Sequence, residues 1–433
     1  MGNIPHVPAI NLYFQVHQPH RLRRYSVFDA APNYFDASAN EQILRKVAAK
    51  CYLPATRVLL EQVRRHAGDF RLAFSLTGCV IDQLRRFAPD VIDNFRKLAQ
   101  TGCVEFLAET YDHSLASLYN PQEFLRQVDR HGELIDDLFG QKPVVFRNTE
   151  LIYSDRLAEL IDVDERYRGV LTEGADHVLA GRSPNVVYAA PTGLPILLKN
   201  YRLSDDIAFR FTHPSPETPG ESSAAAASST GGSRRLTAAR FARHVAALDR
   251  DDDEQPPAQV CNLFMDFETF GEHHWKETGI FTFLAEMPGA LLAAGQRFLT
   301  PRESFDEFEP VDELSCPQSI SWADQERDLS AWMGNAMQSS SLSELYRLRD
   351  TVLATDDADL YRDWRRLTTS DHFYYMCTKY FEDAAVHQYF SPYESPYDSY
   401  INFMNVLDNL RLRARAIQMQ NDQDAVPAEP AEG

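Results

Sequence analysis

Val260-Cys-Asn-Leu-Phe-Met-Asp-Phe-Glu-Thr-Phe-Gly-Glu-His-His-Trp275 is the stretch on which the fold reading turns. Its first six residues are apolar apart from Asn262 and free of Gly and Pro, the mark of a buried strand. Polarity reverses at Asp266 and Glu268, and Gly271 turns the chain into Glu272, His273, His274 and Trp275. Acids, imidazoles and an aromatic at the carboxyl end of a buried strand are the layout of an α/β active site. The competing reading is an ordinary strand end, with Asp266 capping the next helix.

The same pattern recurs outward from this stretch. Residues 10–16 form an apolar run that stops at His17-Gln18-Pro19-His20. Pro19 removes the next ladder donor and leaves an imidazole at the tip. Residues 71–76, 103–107, 144–146 and 169–171 read as further strands. The last three end in Glu109-Thr-Tyr111-Asp112-His113, Arg147-Asn-Thr-Glu150 and Thr172-Glu173. Residues 194–198, 207–211 and 296–299 are shorter strand candidates. Helical spacing occupies 41–66, 80–100, 121–139 and 237–248. Asn120 caps the third of these helices, Pro121 opens it and Gly140 stops it.

Strands alternating with helices specify a parallel sheet, and about seven such units suit a barrel better than a doubly wound sheet. From Trp322 onward the pattern turns helical, over 324–335, 341–353, 357–367, 371–387 and 399–416. The expected organisation is therefore a barrel over 1–315, a helical region over 316–420 and a disordered acidic tail over 421–433. Residues 214–233 are rich in Pro, Ser, Ala and Gly and read as a flexible insertion. Gly-rich nucleotide fingerprints are absent.

Composition bounds the function. The 433 residues carry 43 basic and 63 acidic side chains, a formal charge of −20. That balance argues against nucleic acid and anionic membrane as partners. The six cysteines form no C-x-x-C pair and sit in or beside apolar runs, as reduced thiols do. Met1 to Pro8 has no basic region followed by an apolar stretch, so no signal peptide is expected. No apolar run is long enough to span a bilayer. The cytoplasm is the expected compartment, and the oligomeric state is not readable.

His17, Glu109, Glu150, Glu173 and Asp266 all fall at or just after the carboxyl ends of predicted strands. In a barrel those ends converge on one face. Clustered carboxylates repel, so they require either buried partners or a catalytic use.

Taken together, the motifs resemble glycoside hydrolase family 57. The likeness rests on His17-Gln18-Pro19, Gly102-Cys103-Val104-Glu105, Thr149-Glu150 and Asp266-Phe-Glu-Thr-Phe-Gly271, in the family's order, and spans roughly residues 10 to 410. Ser321-Trp322-Ala323-Asp324 and Asp371-His372-Phe373-Tyr374 resemble segments of the α-amylase-like branch. The resemblance implies an α/β fold, an incomplete (β/α)7 TIM-like barrel followed by a C-terminal helical region. It implies a retaining hydrolase of α-1,4-glucans, with Glu150 as nucleophile and Asp266 as general acid/base, and no metal or cofactor. Sugar contacts are expected from His17, Glu105, Tyr111, Phe270, His273, Trp275, Trp322, Asp371 and His372. The sequence departs from several family members at His273, where they carry a Trp; here Trp275 stands two residues on.

The chemistry fits the residue types. Retention needs one ionised and one protonated carboxyl group. Arg147 close to Glu150 favours an anion there; burial and Glu268 near Asp266 favour a proton. A 4-α-glucanotransferase or branching enzyme would use the same pair. A metal-dependent deacetylase or mannosidase would instead recruit His17, His20, Asp112, His113, His273 and His274. An inactive glycan-binding relative would have lost the carboxylates.

Overall fold

A computed structural model of the chain describes residues 7–162, 166–213, 235–248, 257–379 and 391–424. The insertion expected at 214–233 lies outside these residues, as does the tail beyond 424.

The strands are β1 (Ala9–Val16), β2 (Leu72–Leu76), β3 (Val104–Phe106), β4 (Val145–Arg147), β5 (Gly169–Glu173), β6 (Tyr188–Ala189), β7 (Pro195–Lys199), β8 (Val260–Asp266), β9 (Arg297–Phe298) and β10 (Asp312–Glu313). One ladder runs β3-β2-β1-β8, with β9 also paired to β1; the other runs β10-β6-β7-β5-β4. All pairs are parallel except β6 with β7.

Two seams join the ladders into an incomplete barrel. At one, the Ala108 N–H donates to the Val145 carbonyl at 2.9 Å and the Arg147 N–H to the Ala108 carbonyl at 2.8 Å. At the other, the Asn200 N–H reaches the Asn262 carbonyl at 2.9 Å, and Asn262 Nδ2 the Leu198 carbonyl at 2.8 Å. Neither seam extends into a ladder. β1 to β5, β7 and β8 thus surround Tyr13, Ala73, Leu107, Val145, Leu171, Leu197 and Phe264, which fill the interior.

Two further apolar clusters cover the outside. One packs helices against β1, β2, β3 and β8. The other joins β4, β5 and β7 to the C-terminal helices through Trp332, Trp364, Phe403 and Leu407. That second cluster swings residues 320–375 over the carboxyl ends of the strands. Among the described residues no helix is long and apolar enough to cross a membrane.

The helix Pro121–Phe139 has the expected ends: Asn120 accepts the Glu123 N–H, and Gly140 closes it in the left-handed region. Residues 41–66 form the helices Ala37–Val47 and Leu53–Arg65, joined by a π turn at Ala48–Tyr52 just before Pro54. Three expectations fail among the described residues. The helix read over 371–387 spans only Asp371–Tyr374, residues 375–379 are not helical, and 380–387 lie outside the described residues. Ile207 lies in the helix Tyr201–Ala208, not in a strand, because the Asn200 side chain caps Leu203 and starts a helix there. Residues 324–335 are helical only at Ser330–Met333. Asp324 and Arg327 both adopt left-handed backbone, φ +56° and +53°, which no continuous helix tolerates.

Candidate active site

The decisive stretch does what its polarity reversal requires. β8 ends at Asp266, and a short turn, Phe267–Thr269, follows. Asp266 makes no capping hydrogen bond there, so its carboxyl is available to the cleft. Gly271 has φ +116°, and a Cβ on it would lie 2.0 Å from the Lys50 carbonyl. Only glycine lets the loop fold back against the π turn.

Glu150 sits beyond β4 in a strained turn. Its φ is +57° and that of Leu151 is +51°. Such backbone costs of order 1–3 kcal/mol per residue and collects at functional sites. The turn is held by the Trp322 N–H on the Glu150 carbonyl at 3.2 Å and by Asn148 Nδ2 on the Ile152 carbonyl at 3.0 Å. Both Glu150 oxygens are engaged: Trp322 Nε1–H donates to Oε2 at 2.7 Å, while His113 Nε2 and Ser370 Oγ lie 3.2 and 3.3 Å from Oε1.

Glu150, Asp266, His17, His273, Trp322 and Asp371 line a single cleft of about 410 Å³. That is within the range of small-ligand sites. The environments of the two carboxyls are unlike. Burial pushes Asp266 up to about 6, and the Glu150 charge pushes the same way. Burial also opposes ionisation of Glu150, but the His113 hydrogen bond and charge, with Arg147, outweigh it and hold Glu150 below the usual range. Glu268, buried and beside Asp266, is raised to about 8 and takes a hydrogen bond from Tyr52. His17 bridges Thr77 Oγ1 and Asp371 Oδ2, each at 2.9 Å, from opposite ring nitrogens.

Five expected contacts lie elsewhere. Glu105 faces away, taking the Arg302 N–H at 3.0 Å, because it stands midway along β3 rather than at its tip. Tyr111 is buried against Gly78 and bonds Asp82 at 2.9 Å. Phe270 packs on Phe14 in the core. His372 is buried and faces the Arg366 carbonyl at 3.2 Å. Trp275 is 59% exposed, near Lys50 and outside the cleft lining. At the strand tips, Glu173 is occupied by Lys199 at 3.7 Å and Arg327 at 3.5 Å, and Glu109 stands behind His113.

The cleft also contains residues that the sequence did not single out as sugar contacts. Lys199 ends β7 one residue past the expected strand end. Its Nζ lies 5.4 Å from the Trp322 ring centre, and the Arg147 guanidinium lies 5.0 Å from it. Gln15, His113 and Tyr375 also line the wall, beside Tyr374, an aromatic the sequence offers as a sugar platform. The rival metal ligands do not converge: Asp112 pairs with Arg365, and His274 faces the Ala208 carbonyl at 2.9 Å. Among the described residues no group of three or more His, Cys, Asp or Glu is arranged to hold a metal.

A (β/α)-type barrel with two unlike carboxyls in a groove walled by aromatics holds the kinds of group that glycoside cleavage requires. The chain belongs to glycosyl hydrolase family 57, whose sequence profile matches residues 11–317. It is 36% identical over 430 residues, 96% of this chain and 86% of the relative, to a Methanocaldococcus jannaschii protein named "Putative alpha-amylase". Its fold matches the GH57-type branching enzyme of Pyrococcus horikoshii at a TM-score of 0.65 and 14% identity, covering 97% of this chain and 92% of that one. It matches the 4-alpha-glucanotransferase of Thermococcus litoralis at 0.62 and 14%, covering 85% of this chain and 56% of that one. Family membership makes carbohydrate the substrate class.

Proposed function

We propose that the chain is a retaining hydrolase of α-1,4-glucans such as maltodextrin or glycogen. Residues 1–315 form its catalytic barrel, and 316–420 complete the active-site face. The observation that carries this reading is the placement of Glu150 and Asp266 in one cleft, in surroundings that push Asp266 up through burial and hold Glu150 down through His113 and Arg147. The name of the 36% identical relative supports the choice of glucan.

Each step uses groups already described. The Glu150 carboxylate attacks the anomeric carbon while Asp266 protonates the departing glycosidic oxygen. The glycosyl ester on Glu150 is then opened by water, whose proton Asp266 takes back. Trp322 Nε1–H fixes Glu150 in line, and the indole face offers a sugar platform. His17, His273 and Asp371 contact sugar hydroxyls. The cysteines are all free, as in a cytoplasmic enzyme.

Incubation with maltoheptaose, with products resolved by chain length, tests the reading. Shorter oligomers with new reducing ends are expected. Longer and shorter chains without new reducing ends would mean transfer, and an unchanged substrate would refute the glucan assignment.

The pair also sets the pH response. Asp266 acts as an acid only while protonated, so kcat/KM should fall as pH rises through about 6. Glu150 acts only while ionised, and because its pKa is depressed, the acidic limb should lie below the ordinary glutamate range. An initial-rate profile between pH 3 and pH 9 checks both; a rate still rising through neutral pH would contradict the assignment.

A further inference from the structure

Behind Glu150 lies a second buried carboxylate that the reaction does not touch. Glu109 follows β3 and is fully buried. Its Oε2 is 3.3 Å from His113 Nδ1, and His113 Nε2 is 3.2 Å from Glu150 Oε1. The imidazole therefore has a carboxylate oxygen at each nitrogen. A neutral ring would turn a lone pair on one of them, and only the doubly protonated ring donates to both.

The neighbours leave the proton nowhere better to go. His131 Nδ1 accepts the Glu109 N–H at 3.3 Å and its Nε2–H donates to the Leu76 carbonyl at 2.8 Å, which fixes it as a neutral tautomer. His17 stacks on His113 with centroids 4.0 Å apart, so two cationic rings there would repel. Its own anionic partner is Asp371. Gln15 Nε2 donates to Glu109 Oε1 at 3.2 Å, and Arg147 lies 3.8 Å from Oε2. Tyr13, buried nearby, is held in its neutral form by burial.

We propose that Glu109 is a positioning residue that keeps His113 doubly protonated, and through it keeps Glu150 anionic and aimed. The inference rests on Glu150 being the nucleophile. It also explains why two acids rather than one serve His113. When Glu150 becomes a neutral glycosyl ester, His113 loses one anionic partner. Glu109 still balances the imidazolium, so Nε2–H remains a donor to the Glu150 oxygen that must leave as a carboxylate in the second step. No proton passes between Glu109 and His113 in either step. Consistent with this, the His113 pKa is raised to about 9, because the hydrogen bonds to Glu109 and Glu150 overcome burial.

The test is a ¹⁵N NMR titration of the histidine side chains in the full chain, beside pH profiles of kcat/KM on maltoheptaose. In the wild type, His113 should show two protonated ring nitrogens at pH 7; a neutral ring would by itself overturn the proposal, whatever the activity. In Glu109→Gln, His113 should lose its proton at lower pH. The acidic limb of kcat/KM should rise by about one pH unit or more, since a cation beside a carboxylate is worth 1–3 units. Glu109→Asp, which restores the charge, should recover much of that shift. An unmoved titration and an unmoved limb in a Glu109→Gln protein that unfolds cooperatively would also overturn it. Wild-type inactivity on maltoheptaose would count against the glucan reading alone, because the NMR titration needs no substrate.

Discussion

Glu150→Gln should lower kcat on maltoheptaose by roughly 10⁴-fold or more, the scale of loss when an enzyme's nucleophile is removed. The amide is nearly isosteric and can still accept the Trp322 Nε1–H that now reaches Oε2. It cannot attack the anomeric carbon and so cannot form the ester. The strained turn keeps its backbone bonds from Trp322 and Asn148, so the fold should survive. The thermal midpoint at neutral pH should fall modestly, because the His113 and Arg147 interactions that hold Glu150 ionised are lost. Kinetics and a melting curve on the same preparation check this. Residual activity within about tenfold of wild type, far short of a nucleophile's contribution, would assign the role elsewhere.

Asp266→Asn should cost roughly 10²–10⁴-fold on maltoheptaose, the contribution of one general acid/base. This variant should also separate the two half-reactions. A maltosyl fluoride needs no proton on its leaving group, so the first step should remain fast. The second step lacks its base and should become limiting. Azide, which attacks without deprotonation, should then restore turnover and yield maltosyl azide of retained configuration. Equal damage to both substrates, with no azide effect, would mean that Asp266 binds sugar rather than moving protons.

Much of this arrangement is legible in the chain, for reasons that differ between residues. β8 was readable because a run of five apolar residues and Asn262 ends abruptly in acids, and β1 because an apolar run ends in His-Gln-Pro. The helix Pro121–Phe139 was readable because both of its ends carry capping residues. Glu150 and Asp266 could be placed at strand ends because an apolar run turns acidic there, while the roles proposed for them come from the family resemblance. The same rule misled at Glu109 and Glu173. A strand tip looks alike in sequence whether its acid faces substrate or a buried cation, and the cations involved, Arg147, Lys199 and Arg327, come from other strands and loops.

Aromatic residues were harder to assign. Tyr111, Phe270 and Trp275 lie close in sequence to the catalytic motifs, yet Tyr111 and Phe270 pack inward and Trp275 faces solvent. Trp322 lies 172 positions from Glu150 and still bonds it directly. Its place depends on a loop that Arg327 ties to Glu173 and Asp205, at 3.5 and 3.6 Å. Two left-handed residues in that loop, Asp324 and Arg327, carry no glycine or asparagine signal. Local sequence therefore suggested a helix where tertiary ion pairs hold a turn.

The Glu150 ester can be sought directly by reacting Asp266→Asn with maltosyl fluoride, recording the intact mass and mapping the adduct by peptide sequencing. One maltosyl unit per chain is expected, bound as an ester to Glu150 and released by azide. An adduct on Glu268 or Asp371, or maltose of inverted configuration with no adduct, would contradict it.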